Sequence, residues 1–327
     1  MRLLRCSVLA LVLSLAPSVL VAQDARKGVT IVEILGLRTW TRQMVEDSVA
    51  KYQPGISLAD HACAIILRDS VGFADAASMT MSMGGDTSWT VLPVVEPALK
   101  DRVRFRTYAS ERRKVRAWRD IFAVLERDRE ALNDLQHPEV LFGGADSVSG
   151  RAVPASTLEL RRKIRRHNSA RDWALARDAL LTDGNPRNRF VAALVLSNFA
   201  QRDSTYHLLA DGLRNSDLGA MAAQMVLSAM SRHAPRRVDW RPAEDALAAL
   251  VGGTNPFMYT YVLDVLVATQ VDPALGLKLA RWNPVLLMDH LTARNPFSPP
   301  PARRFLVHIR GQDLRDPAAW NAWLTGG

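Results

Sequence analysis

Ser78-Met79-Thr80-Met81-Ser82-Met83 alternates polar and apolar residues without a break, and Gly84-Gly85-Asp86-Thr87 follows at once. A period of two predicts a strand with one apolar face, and the glycine pair predicts a hairpin turn. The return strand, Trp89 to Val95, carries Pro93, which cannot donate to a ladder and predicts a bulge or a locally unpaired position. Upstream, Val29-Thr-Ile-Val-Glu-Ile-Leu35 is rich in β-branched residues and closes at Gly36, the profile of a first strand. Between the strands, Met44, Val45, Val49 and Tyr52 fall at helical spacing from Thr41 until Pro54-Gly55 breaks the run. Ser57 then stands as the expected cap of a second helix that carries Cys63, Ile65, Ile66 and Leu67 and stops near Gly72. The order is β-α-α-β-β. It predicts a small α+β domain over residues 23–107, a three-stranded sheet with two helices on one face.

Ahead of this domain, Arg2 and Arg5 precede an uncharged stretch from Cys6 to Gln23, with Pro17 late in the run and Ala22 at a plausible cut. That pattern reads as an export signal over residues 1–22, with a retained anchor as the alternative. Cleavage lowers the formal charge from +9 to +7 and leaves Cys63 as the one cysteine. A lone thiol forms no intrachain disulfide and no Cys-rich zinc site. The 327 residues, 48% hydrophobic and 23% charged, exclude a disordered tail, a collagen-like rod and a multi-span membrane protein. The expected location is the periplasm or the medium, soluble or held peripherally at the cell envelope.

Downstream, Tyr108 to Asp134 has an apolar stripe of Val115, Trp118, Ile121, Phe122 and Leu125 among arginines, which predicts one long connecting helix. Leu135 to Pro154 lacks periodicity and reads as a boundary loop, so 108–154 is taken as a connector. From 155 to 327 the pattern is helical hairpins. The frame Asp183, Asn185, Arg189, Ala192, Leu196 recurs as Ala223 and Leu227 at an offset of 31, and as Asn255-Pro256, Val262 and Leu266 at 70. Recurrence at such periods predicts an all-α helical-repeat solenoid, closed by shorter helices around Phe305–Ile309 and Trp320/Trp323. An irregular helical domain is the alternative.

No catalytic, cofactor or metal motif emerges. The seven histidines form no metal-ligand spacing, and the Gly-x-Ser-x-Gly, Gly-x-Gly-x-x-Gly and Walker patterns are absent. Asp289-His290 and Asp60-His61 are neighbours on a helix and point to different faces. Arg161-Arg162-Lys163-Ile164-Arg165-Arg166 is the strongest charge run: a candidate patch for an anionic membrane, a glycan or an acidic protein, or else a solvated helix face. In an exported protein nucleic acid is not the expected partner. Ser78, Met79, Thr80, Met81, Ser82 and Met83 form a candidate partner-binding edge, since an unpaired strand offers N–H and C=O groups to an extended segment.

Ile31 to Gly36, Pro54-Gly55, Val71-Gly72-Phe73-Ala74-Asp75 and Val94-Val95-Glu96 together resemble a POTRA domain, the periplasmic module of outer-membrane assembly, two-partner secretion and some division proteins. The resemblance covers about 80 residues. It implies that the second strand, here Ser78 to Met83, is a partner-binding edge. The frame around Asp183 to Leu196 is similar to HEAT repeats of the phycobilisome-lyase variety, which implies a repeat scaffold and carries no catalytic residue across. The leading expectation is an exported, non-enzymatic adaptor in the cell envelope. It binds a protein partner by strand addition and another through a helical-repeat surface. Two alternatives stand beside it: a small-ligand-binding protein or lyase-like enzyme on a HEAT scaffold with a site at the domain junction, and a basic module that touches membranes or glycans.

Overall fold

The computed structural model describes residues 29–82, 87–109, 111 and 113–326. The expected export signal, Met83 and the turn residues Gly84 to Asp86 lie outside them. Within the sheet, β1 (Val29–Leu35) runs parallel to β4 (Thr87–Val95), and β2 (Asp75–Ala76) and β3 (Met79–Ser82) both pair antiparallel with the other side of β4. β2 and β3 keep one register along β4, from Asp75 opposite Val95 to Ser82 opposite Ser88. They part opposite Pro93. Ala77 donates to the Pro93 carbonyl at 3.0 Å, but proline has no N–H to return, so the ladder loses a bond there. The sheet thus has three layers of backbone, with β4 in the middle and β3 at one edge.

Two helices cover one face, α1 (Arg42–Tyr52) and α2 (Ala62–Ile66). Thr41 caps α1 by accepting from Met44 N–H, and Val45 and Val49 are turned into a core with Cys63, Leu67, Phe73, Leu92 and Val94. Ser57 is not the cap of α2. It accepts from Ala59 in a preceding turn, and the Asp60 carboxylate takes the Ala62 N–H instead. The helix leaves through a π turn over Leu67–Val71 that ends at Gly72, whose φ of 93° is open to glycine.

The opposite face of the sheet is not exposed. Leu35 and Val91 belong to the same apolar core as the helices that follow. Those helices come in hairpins: α6 (Ala170–Thr182) with α7 (Pro186–Leu196), α8 (Asp203–Gly212) with α9 (Leu218–His233), α10 (Glu244–Gly252) with α11 (Tyr259–Ala268), and α12 (Pro273–Trp282) with α13 (Pro284–Thr292). The first helices α6, α8, α10 and α12 pack in one row, and α7, α9 and α11 in a second. α14 (Pro299–Arg310) and α15 (Pro317–Thr325) close the far end, with Phe305, Leu306 and Trp320 buried. The framed residues Ala192, Leu196, Ala223, Leu227, Val262 and Leu266 are all buried between the rows.

The expected helix from Tyr108 to Asp134 is mostly something else. Only Arg119–Arg127 is α-helical (α3), after a short 3-10 turn and before another over Arg129–Gln136. Residues 103–109, 111 and 113–115 are an extended strap laid across the turns of the hairpins. Arg104 N–H donates to Thr254, Arg106 N–H to Asn215 Oδ1, and Ala109 N–H to the Thr182 carbonyl. Asn188 accepts from Val115 N–H and donates to Arg113 O and to Asp183. The Arg102 guanidinium bonds the Trp282 carbonyl, and the Tyr108 ring lies 3.7 Å from the Arg189 guanidinium. The strap's backbone groups find partners at helix turns, most of them side chains and one the Thr182 carbonyl, and a helix would forfeit these.

Leu135 to Pro154 is likewise no free loop. It holds α4 (Pro138–Leu141) and a small hairpin of β5 (Ser147–Val148) and β6 (Arg151–Ala152), with Val140, Leu141, Val148 and Val153 in the core beneath α5 (Ala155–Arg166).

Candidate functional site

β3 is an edge strand with both of its sides defined by chemistry. Because Ala77 and Pro93 form a hydrogen-bonded pair, the alternation of an antiparallel ladder turns the backbone groups of Met79 and Met81 toward β4. The N–H and C=O groups of Ser78, Thr80 and Ser82 then point outward, where no described strand pairs with them. The Thr80 and Ser82 side chains are exposed on the α1/α2 side, with Thr80 Oγ1 3.0 Å from Thr90 Oγ1.

The Met79 and Met81 side chains lie on the other face, toward the helices. With Val91 and Pro93 from β4, they wall a cavity of about 190 Å³ whose far side is formed by Phe257, Tyr261 and Asp264 around α11, His290 on α13, and Phe297, Ser298 and Pro301 at the start of α14. The methionine stripe is therefore half-buried at a junction, part core and part cavity wall.

His290 is the unusual member. It is 3% exposed and stacked flat on the buried Tyr259 ring at 4.6 Å, and neither imidazole nitrogen has a hydrogen-bond partner. Burial drives its pKa down to about 3, so the ring is neutral at ordinary pH. The Tyr259 phenol is held protonated by the same burial. Asp264, across the cavity, is paired with Arg304 at 2.7 Å.

Carboxylates lock the sheet onto the helices around this cavity. Glu33 accepts from the N–H groups of Arg294 and Asn295, Asp289 from Gly36 N–H, and Asp75 from Asn255 N–H at 2.8 Å. Asp75 is fully buried, and desolvation pushes it up to about 6 despite its two backbone donors. Burial works in the same direction on Asp289. Glu96 differs: burial opposes its charge, but the N–H groups of Trp40, Arg38 and Thr39 and the Thr39 hydroxyl outweigh that and hold it below the usual carboxylate range. These acids are structural acceptors. Asp289 and His290 do point different ways, one to Gly36 and the other to Tyr259.

The basic run on α5 is largely consumed by the fold. Arg161 donates to the carbonyls of Val140 and Ala145 and pairs with Asp146, and Arg165 donates to those of Leu141 and Phe142 while lying over the Phe142 ring. Together they satisfy the open carbonyl end of α4. Lys163 pairs with Glu159. Of the expected anionic-partner patch, Arg162, Arg165 and Arg166 are exposed without an ion pair among the described residues, and the Arg165 guanidinium is taken up by the carbonyls of α4.

Sequence reasoning located the strand edge but did not find His290, Phe257 or Phe297, which reach the cavity from segments about 200 residues downstream. Among the described residues no group of three or more His, Cys, Asp or Glu can hold a metal ion, and no helix is long and apolar enough to cross a membrane. Comparison with protein-family models, with curated proteins and with solved structures gives no match.

Proposed function

We propose that the chain is an exported, non-enzymatic interaction module of the cell envelope that takes up an extended segment of a partner protein along β3. The observation that carries this is the outer edge of β3, unpaired among the described residues, with Ser78, Thr80 and Ser82 presenting their backbone groups outward beside a walled cavity. Main-chain bonds supply affinity in such a mode, and pockets for alternate side chains supply selectivity. The POTRA resemblance supports the same strand, and the paired helices fit a HEAT-like solenoid that acts as a rigid platform. Its turn-side edge is already covered by the strap and the sheet, so the partner surface of this reading is β3 rather than that edge.

The test is in-cell photocrosslinking from Ser82 in the full chain, repeated with Thr80→Pro, which deletes an outward donor while the Ser78 and Ser82 backbone groups stay. One dominant adduct with the crosslinker at Ser82, lost when proline stands at 80, is the expected result. Equal adduct yield with and without the proline refutes strand addition.

A further inference from the structure

The geometry points to a specific occupant for the cavity behind β3. We propose that it receives a single phenol or indole ring, the side chain of a tyrosine or tryptophan carried by the segment that pairs with β3. The inference rests on the strand-addition reading for the origin of the ring, and on the cavity alone for its chemistry.

Three features select the ring. The volume of about 190 Å³ exceeds by one small polar group the space that takes up benzene in a dry apolar cavity, about 150 Å³. Met79, Met81, Phe257 and Phe297 form much of the wall, beside the polar Thr260, Asp264 and Ser298, and thioether and aromatic surfaces adapt to an aromatic guest through sulfur–ring and edge-to-face contacts. His290 then distinguishes a polar ring from a plain one. Neither nitrogen is open to water with the ring as it stands, and a buried imidazole with no partner on either is costly, so a guest gains the bond by turning the ring toward the cavity. A neutral imidazole has one accepting nitrogen, and a phenol O–H or an indole N–H is the donor that meets it inside an apolar pocket. A carboxylate guest finds no Lys or Arg among these walls, and Arg304 behind Asp264 is already paired with it.

Position supplies the origin of the ring. A strand added to β3 lies about 4.8 Å away, and its residues opposite Met79 and Met81 project to the same face as those methionines. Every second side chain of the segment is thereby placed on the cavity's face of the sheet, and the alternate ones lie on the face of Thr80 and Ser82.

The experiment titrates the full chain with p-cresol, 3-methylindole and toluene by ligand-detected NMR. p-Cresol is expected to bind about tenfold more tightly than toluene, the worth of one bond to an otherwise unsatisfied buried group. In His290→Phe, which keeps the stacked ring and removes both nitrogens, toluene is expected to bind and the preference to fall to about onefold. Should that variant not fold, Met79→Trp at the cavity wall is expected to weaken all three probes together. Toluene binding as tightly as p-cresol to the unaltered protein, or no binding by any probe, overturns the ring site. Saturating p-cresol is also expected to reduce the Ser82 adduct. An adduct that forms undiminished keeps strand addition and overturns the strand-borne ring. p-Cresol binding with no adduct at all keeps the ring site and overturns its peptide origin together with the strand-addition reading.

Discussion

Lowering the pH from 7 to 4.5 should set two buried groups at the sheet–helix junction against each other. His290 has its pKa pushed down from 6.5 to about 3, so its contribution is complete above 6.5 and is lost as the pH falls toward the folded value. Over this interval the loss amounts to about 2.5 kcal/mol. Asp75 runs the other way. Its pKa is raised from 3.8 to about 6, so its contribution is complete below 3.8 and disappears as the pH rises through 6; the same acidification restores about 2 kcal/mol. The charged groups nearest His290 are Asp264, bound to Arg304, and Asp289, turned to Gly36, while Asp75 sits near Arg68 and Asp69. The two opposing terms nearly cancel in the unaltered protein and separate in single variants. Urea unfolding followed by tryptophan fluorescence at both pH values measures this, and each variant is compared with itself so that its baseline cost drops out. His290→Phe should resist acid better than the parent by about 2.5 kcal/mol, and Asp75→Asn worse by about 2 kcal/mol. If His290→Phe shows the parent's pH dependence, the imidazole takes up its proton as freely in the folded protein as in the unfolded chain, and the argument from burial is wrong.

Other expectations concern the joints of the fold. Asn188→Ala removes the partner of the Val115 N–H and the Arg113 carbonyl at the strap and one of the bonds to the buried Asp183, and should cost about 2 kcal/mol in chemical denaturation. Gly36→Ala places a Cβ 2.2 Å from the Val94 carbonyl oxygen at a φ of 94°, whereas Gly55→Ala at a similar φ of 89° meets nothing within 4 Å. The first should prevent stable folding or cost more than about 3 kcal/mol, and the second about 1 kcal/mol, in thermal melts of the two proteins. Arg165→Ala uncovers carbonyls at the end of α4 and should cost about 1–2 kcal/mol, against less than about 0.5 kcal/mol for Arg162→Ala. Equal losses would mean the capping role is misassigned.

What could be read in the sequence were the features whose cause is local. Val29–Leu35 declared itself by β-branched residues and a closing glycine, β3 by its alternation, and Pro93 marked the place where the edge strand parts. α1 followed from spacing and Thr41. The strap was misread because its determinants are remote: an apolar stripe with arginines looks helical until Thr254, Asn215 and Asn188 offer bonds from more than 70 residues away. The second covered face of the sheet was hidden for the same reason, since nothing in Val91 or Leu35 says which helices will meet them. Of the candidate site, the edge was legible and the cavity was not. His290 reads in sequence as one more structural histidine, and only the packing of α13 shows that it was buried without a partner.

The strap and the sheet also set an order of events for a chain made from its N-terminus. Glu33 waits for Arg294 and Asn295, 261 and 262 residues later, and Gly36 waits for Asp289. Until α13 and the turn after it have been synthesised, one face of the sheet has no cover, and the strap has only some of its four turns to rest on. Contacts so distant along the chain slow the search for the native state and leave apolar surface open to misassembly meanwhile. The N-terminal strands come first in the chain and are the last part of the molecule to be finished.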